Sequence, residues 1–406
     1  MNDVLDPRQI ENDPYAGERL LRTPFYPRAV KWNVRDAWGA WNGYLFAEYF
    51  YDPEYEYFCI RNGCGVYDIS PMQKYRITGA DAQAMLDRMV TRDLSKLRDN
   101  RVTYVVWCTD EGRLVDDGTI FRLGPEEFML TCGSPCTAWL RMAAYGFEEV
   151  HVEDISDRMA ALAFQGPTTC AVLKRMGLDG IEQARRFDIR HFSFHGDRLM
   201  VSRTGFTGDL GYELWIKPEL ALALWDELFA AGEDFSIQPF GEEATNMARL
   251  EAGLIMPGMD FNEALKTVNF RHDQSPLELS LEWLIDWDKP HFNGRRALLR
   301  EREQGPAWRL LKLDIPGNKV AEGAILYDSK ACRREIGYVT SAMWSPAVKA
   351  NIAMAMVRGE HEQRDIWVEI YYTRELRQYR KVVLATVKER PFWTPERVGR
   401  TPPSDH

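Results

Sequence analysis

Between Lys74 and Ile216 the chain runs twice through one order of strand, helix and further strands, which restricts it to a fold with two similar α+β units. Lys74–Thr78 reads as a strand. Gly79-Ala80-Asp81 opens a helix whose apolar positions, Leu86, Met89, Val90, Leu94 and Leu97, keep a helical spacing. Val102–Cys108 is β-rich, Asp110-Glu111-Gly112 is a turn, and Leu114–Leu123 and Glu127–Cys132 follow as strands. The order returns with a strand at Ala160–Phe164. A helix then runs through Val172, Leu173 and Met176, with Gly177 as its C-cap, before strands Arg198–Ser202 and Tyr212–Ile216. Pro218 starts a helix that ends at Gly232, and Glu242–Ala252 is a further helix. Asp286–Gln304 reads as a junction. Beyond it lie Arg309–Leu313, Ala324–Leu326, Glu335–Thr340, Ile352–Met356, Ile366–Tyr371 and Val382–Val387, short strands that suggest a small barrel or sandwich. The expected fold class is α+β: an arm over 1–30, two lobes over 31–305, a β-barrel over 306–393 and a frayed tail over 394–406.

The 406 residues suit two or three domains. A net charge of −10 without a basic run disfavours nucleic acid as a partner. No run approaches the roughly 18 apolar residues of a membrane helix, and Met1–Arg8 carries no apolar signal core. The seven cysteines form no C-x-x-C pair, so reduced thiols in a cytoplasmic protein are expected. His191 and His195 are four apart, but Phe192, Phe194 and Gly196 favour a strand or turn over a helix, and no metal site is expected. The expected partner is a small-molecule substrate, and oligomeric state is not specified.

Two acidic segments and one aromatic segment are candidates for chemistry. Asp116-Asp117 lies in a β-rich run, where alternation lets at most one of the two face a given pocket; a strand-end turn with solvated acids is the alternative. Thr204–Glu213 holds three glycines in eight residues and ends with Glu213 in an otherwise apolar strand. It reads either as a hairpin loop or as a ligand cradle whose carboxylate meets paired N–H donors. Between Trp32 and Phe58, 11 of 27 residues are aromatic, which suits a core, an interface or a substrate wall.

At these residues the sequence resembles the aminomethyltransferase family typified by the T-protein of the glycine cleavage system. Gly65–Met72 resembles the family's G-L-F-D-V-S-H-M, Arg113–Asp117 its G-x-x-D-D, Gln165-Gly166-Pro167 its Q-G-P, and Thr204–Leu214 its T-G-Y-T-G-E-x-G-Y-E-I. Arg249–Gly253 is R-L-E-A-G, and Ser275–Glu278, Phe292–Leu298 and Gly337–Pro346 match later motifs in the family's order. The resemblance implies two α+β lobes and a C-terminal barrel around a tetrahydrofolate site. It places Asp116 beside the folate N5, Glu213 on the pterin's N–H donors, and Tyr104, Met72 and Arg249 among the cofactor-binding residues.

Some positions depart from the family pattern. Pro71 and Tyr57 stand where the family has His, and Ala244-Thr245-Asn246 lacks the Arg of its A-R-D. Trp41–Leu45 with Tyr49, Phe50, Glu56 and Tyr57 looks closer to the demethylase branches. The expected activity is therefore tetrahydrofolate-dependent demethylation of a small, aromatic or otherwise flat substrate, with Trp38, Trp41, Tyr44, Tyr49 and Tyr57 supplying its wall. The alternatives are a formaldehyde-releasing lyase, a glycine-cleavage aminomethyltransferase and a non-catalytic folate-binding protein.

Overall fold

The computed structural model describes residues 20–268, 273–362, 365–400 and 402. The first lobe is an antiparallel five-stranded sheet in the order Arg101–Cys108, Leu114–Gly124, Glu127–Cys132, Gln73–Thr78, His151–Asp154. The helix Ala82–Met89 buries Ala82, Met85, Leu86 and Met89, one face at helical spacing, against Tyr75, Val105, Trp107 and Ile120. The second lobe has six strands in the order Ile189–Phe194, Asp197–Ser202, Gly211–Ile216, Ala160–Gln165, Gly65–Asp68, Gln238–Pro239. Its first four strands repeat the first lobe's order, so the repeat read in the sequence is also a repeat in space.

Gly65–Asp68 precedes the first lobe in the chain but pairs with Ala160–Gln165 of the second. The chain then crosses through residues 69–72 into Gln73–Thr78, which puts Ile69 and Met72 at the seam between the lobes. There the inner sheet faces meet: Val102, Phe121 and Met129 pack on Ala161, Met200 and Trp215, with the Phe121 and Trp215 rings 5.3 Å apart, edge to face. The sheets also join edge to edge, where Val102 N–H donates to Phe187 O at 2.8 Å and Ile189 N–H to Asn100 O at 2.9 Å.

The six expected C-terminal strands close a barrel in the order Trp308–Ile315, Ala350–Arg358, Glu335–Ser345, Ile325–Tyr327, Ile366–Arg374, Arg377–Lys388. Leu310, Ile352, Met354 and Met356 pack its outside on Val106 and Leu114 of the first lobe and on Leu250.

Three stretches differ from expectation. The helix from Asp81 stops at Met89, because Val90 turns extended to bridge Trp107; Leu94 is buried instead by a 3-10 turn whose Ser95 N–H donates to Asp93 at 2.9 Å. The junction over Asp286–Gln304 contains the helix Arg295–Gln304, entered through Gly294 at φ +83° and anchored by buried Leu298. The tail is docked rather than frayed as far as Arg400, since Arg397 donates to both oxygens of Asp209 at 2.5 and 2.8 Å. Residues 1–19 of the expected arm lie outside the described residues; Tyr26–Trp32 is a helix that buries Ala29, beside buried Phe25, in the second lobe's core.

A buried ionic node ties these parts together. Glu251, at the end of the helix Glu242–Glu251, accepts from Tyr57 Oη at 2.6 Å, from Arg61 at 2.7 and 3.0 Å, and from Ser345 of the barrel. Arg61 also donates to Thr207 O at 2.9 Å and to Asp209 at 3.2 Å. Removing one partner of such a pair strands a charge in the interior, whereas exposed pairs contribute little. Arg61→Leu is expected to lower unfolding stability by about 3–5 kcal/mol, and Arg28→Ala, which removes the exposed Arg28–Asp226 pair, by less than ~1 kcal/mol. Urea unfolding of both variants checks this, and similar losses in the two would refute the node's role.

Candidate active site

A cavity of about 2170 Å³ lies between the lobes, lined from both sheets, from the hairpin Ala37–Trp41/Tyr44–Tyr49 and from residues 391–398. On the first sheet, Leu114–Gly124 pairs with Arg101–Cys108 so that Asp117 stands opposite Val106 and Thr119 opposite Tyr104. Tyr104, Asp117 and Thr119 all line the cavity. Tyr104 Oη donates to Asp117 Oδ2 at 2.5 Å. Burial raises the Asp117 carboxyl to about 6 against the pull of that phenol, and Glu263, also in the cavity wall, adds to the rise.

Asp116, the carboxylate expected beside the reacting atoms, does not line the cavity. Alternation puts it on the other face of the strand, opposite Trp107 and beneath the helix layer. Its Oδ1 accepts the Asp117 N–H at 2.8 Å, while Oδ2 is buried without a partner among the described residues. Burial, then the charges of Asp117 and Glu263, push its carboxyl up to about 9, so it is neutral beside Asp117. The motif located the pair, and the register selects Asp117.

Glu213 lines the cavity, in the wall contributed by Gly211–Ile216. Its Oε2 accepts from Thr204 Oγ1 at 2.5 Å and Ser202 Oγ at 3.3 Å, and burial raises its carboxyl to about 7. Both bonds fall on one oxygen, which leaves Oε1 for a donor from the cavity. The glycines before it are steric: a Cβ on Gly205 or Gly211 would come within 2.0 or 2.2 Å of Gln165 Oε1. Gln165 fills that space, donating to the Thr204 and Tyr212 carbonyls and accepting from Thr207 Oγ1 at 2.9 Å. Gln165 belongs to the Q-G-P motif, and its signal in the sequence is a polar residue closing the apolar run Ala160–Phe164. A carboxylate held on one oxygen by hydroxyls, above a glycine loop that lets backbone come close, fits a flat heterocycle with paired N–H donors such as a reduced pterin.

Met72 lines the cavity at the seam. Arg249 does not. It is fully buried, ion-paired to Asp260, and donates to Ser341 Oγ at 2.8 Å and Asn246 Oδ1 at 2.8 Å, so it fastens its helix to the barrel. Four of the five residues of the expected aromatic wall lie outside the cavity lining, and two of them, Trp38 and Tyr57, are buried. Trp38 packs on Tyr26 at 5.2 Å, Tyr44 donates to Asp157 Oδ1 at 2.6 Å, Tyr57 holds Glu251, and Tyr49 lies outside the cavity lining. Trp41 alone of the five lines it, joined by Phe46 from the same hairpin. The Trp41 indole N–H and the Asn42 amide both donate to Gly133 O, at 2.9 and 2.8 Å, which pins the hairpin over the first sheet. Glu263 and Trp393, on irregular segments, carried no pattern by which sequence could find them. Among the described residues no group of three or more His, Cys, Asp or Glu could hold a metal, and no helix is long and apolar enough to cross a membrane.

Comparison with known proteins places this geometry. Residues 26–289 match the GCVT N-terminal domain, and residues 309–393 match the glycine cleavage T-protein C-terminal barrel domain. An aminomethyltransferase of Caldanaerobacter subterraneus subsp. tengcongensis is 31% identical over 358 residues, 87% of this chain and 92% of that protein. A trimethylamine-oxide aldolase of Ruegeria pomeroyi is 36% identical over 331 residues, 78% of this chain but 40% of that protein. The crystal structure of the glycine cleavage system aminomethyltransferase T from Bartonella henselae superposes with a TM-score of 0.79 at 26% identity, covering 92% of this chain and 98% of that one. With both domains matched in order and the two-lobe-and-barrel architecture shared, the chain belongs to the glycine cleavage T-protein family of aminomethyltransferases.

Proposed function

We propose that this protein is a tetrahydrofolate-dependent demethylase that takes a one-carbon unit from a small methylated donor. The observation that carries the reading is the pair of half-buried cavity carboxylates, Glu213 and Asp117, on the facing lobes. Glu213 Oε1 would grip the pterin N–H donors, with Tyr104 and Met72 as walls. Bound tetrahydrofolate supplies the nitrogen that accepts the carbon. Asp117, ionised above about pH 6, stabilises positive charge that develops at the transferring carbon and can take up a proton at its carboxylate. Neutral Asp116 behind it avoids a second negative charge at that point.

Three features support a donor other than an aminomethyl group. Thr245 lines the cavity and Asn246 bonds Arg249, where the family pattern has Arg and Asp. Trp41 lines the same cavity as Asp117 and as Glu263, which pairs with Lys266 at 2.5 Å, and an aromatic ring and carboxylates in one cavity suit a methylated cation. The aldolase relative is named for a methylated amine oxide. That relative also favours a second reading, in which the donor's carbon leaves as formaldehyde without folate.

The deciding assay incubates the protein with methylated amines, methylated sulfonium compounds and methoxylated aromatics, with and without tetrahydrofolate, and measures methyl-tetrahydrofolate, methylene-tetrahydrofolate and formaldehyde. Formaldehyde released at the same rate without tetrahydrofolate would replace the first reading by the second.

Asp117→Asn is expected to lower turnover at least tenfold, a loss of ~1.4 kcal/mol. Asp116→Asn keeps turnover and leaves the acid limb of the pH–rate profile in place, because Asp116 is already neutral where Asp117 titrates. A larger loss in the Asp116 variant would return the catalytic role to Asp116. Glu213→Gln should weaken tetrahydrofolate binding by about 10- to 100-fold, as a charge-assisted hydrogen bond becomes a neutral one. Since only ionised Glu213 accepts both donors, parent affinity should fall by up to about tenfold per pH unit below 7. Titration calorimetry checks this: an affinity independent of pH between about 5.5 and about 8 would remove Glu213 from recognition.

A further inference from the structure

One corner of the cavity sets aromatic rings beside a carboxylate that the folate reading does not use. The carboxylate is Glu242, in the first turn of the helix Glu242–Glu251. An acid at that place is ordinarily solvated and serves the helix dipole, and exposed Glu243 is placed for that. Glu242 turns inward instead: it lines the cavity, and its Oε2 accepts from Tyr67 Oη at 2.6 Å. Burial raises its carboxyl against the pull of that phenol and of Arg249. Arg249 is ion-paired to Asp260, and no cation lies within ion-pair distance of Glu242 among the described residues. The phenol occupies one oxygen, which leaves Oε1 for a charge supplied from the cavity.

The backbone places the rings around this group. Phe240 N–H donates to Val66 O at 2.9 Å, and the Phe240 ring backs that of Tyr67, stacked at 5.5 Å. Gly241 lets the strand Tyr44–Tyr49 seat on the helix's first turn, since a Cβ there would come within 2.4 Å of Glu48 O. That strand brings half-buried Phe46 into the cavity wall, with half-buried Trp41 edge to face at 6.5 Å across the hairpin. Trp41 packs on the core cluster that holds Tyr67 and Phe240. Its indole bonds Gly133 O, next to Cys132, which stands opposite Gly118 beside Asp117. The corner therefore adjoins the strand that carries Asp117. One turn along the helix from Glu242, Thr245 lines the cavity where the family pattern has Arg, so the helix face turned to this corner carries an acid and no base.

We infer that this corner binds the onium head of the methylated donor, a quaternary ammonium or sulfonium cation, with Glu242 as its counter-charge and the rings of Trp41 and Phe46 as its wall. The inference rests on the methylated-donor reading above and adds the donor's chemical class. Such a cation has no N–H to donate, so hydrogen-bond acceptors cannot hold it by direction; ring faces and a nearby negative charge can. A neutral methoxylated aromatic would leave the Glu242 charge without a counter-ion in a desolvated corner.

The test measures binding of tetramethylammonium, of trimethylsulfonium and of tert-butanol, a neutral probe of similar shape, to the full-length protein by titration calorimetry, beside Glu242→Gln and Thr245→Arg. Melting curves show which variants fold. Both cations should bind the parent, and tert-butanol roughly tenfold or more weakly. Glu242→Gln should weaken cation binding by about tenfold or more while keeping the parent's tetrahydrofolate affinity, and Thr245→Arg, which brings a like charge to the corner, should abolish it. The tighter of the two cations assigns the donor as ammonium or sulfonium. No cation binding by the parent, equal binding of tert-butanol, or undiminished cation binding in either folded variant overturns the inference. A methoxylated aromatic as the only donor turned over, with no cation bound, overturns it and leaves the demethylase reading standing. Glu242-dependent cation binding in a protein that turns over no methylated donor supports the site and ends that reading.

Discussion

The Arg61–Glu251 node is the constraint on which the other parts depend. One guanidinium and one carboxylate, both out of water, connect the helix Pro53–Asn62, the helix Glu242–Glu251, the barrel through Ser345, the glycine loop through Thr207 and the docked C-terminal segment through Asp209. Buried charges hold only with near-complete hydrogen bonding, and here the partners come from segments far apart in sequence. None of those segments can shift without uncovering a charge. The loop that carries Thr204 and leads to Glu213 is therefore held by the same group that seats the barrel. The family's R-L-E-A-G run reads as architecture: Arg249 and Glu251 each fasten the helix, and neither lines the cavity.

The internal repeat explains why the site is where it is. Two sheets of like order pack by their inner faces, and one crossing segment, residues 69–72, joins them. Each sheet contributes one cavity carboxylate, Asp117 from the first and Glu213 from the second.

Much of this was legible from sequence, and the limits have physical causes. Residue pattern located the lobes and the barrel strands, with Ala160–Gln165 and Ala350–Arg358, buried on both faces, reading as continuous apolar runs. It overran at Met89 because Val90 and Leu94 continue the apolar spacing while β-branched Val90 bridges a strand instead. The tail was misread because its anchors, Asp209 and Arg203, are distant in sequence. The aromatic cluster carried no facing information: Trp41 and Phe46 reach the cavity, while Trp38 and Tyr57 are spent on packing and on the Glu251 node. Between Asp116 and Asp117 alternation offered a choice, and only the pairing with Val106 and Trp107 made it.

Charge is distributed along the cavity with a direction. The buried arginines, Arg61, Arg203 and Arg249, are satisfied by carboxylates and carbonyls of the framework. The carboxylates at the seam have only hydroxyls and a phenol, and burial holds Glu213 near 7 and Asp117 near 6. For Glu213 the folded protein then binds more protons than the unfolded chain between its ordinary 4.5 and about 7, so this group's contribution to stability declines as pH rises through that window. The interior end thus carries an electrostatic cost that donor groups of a ligand relieve.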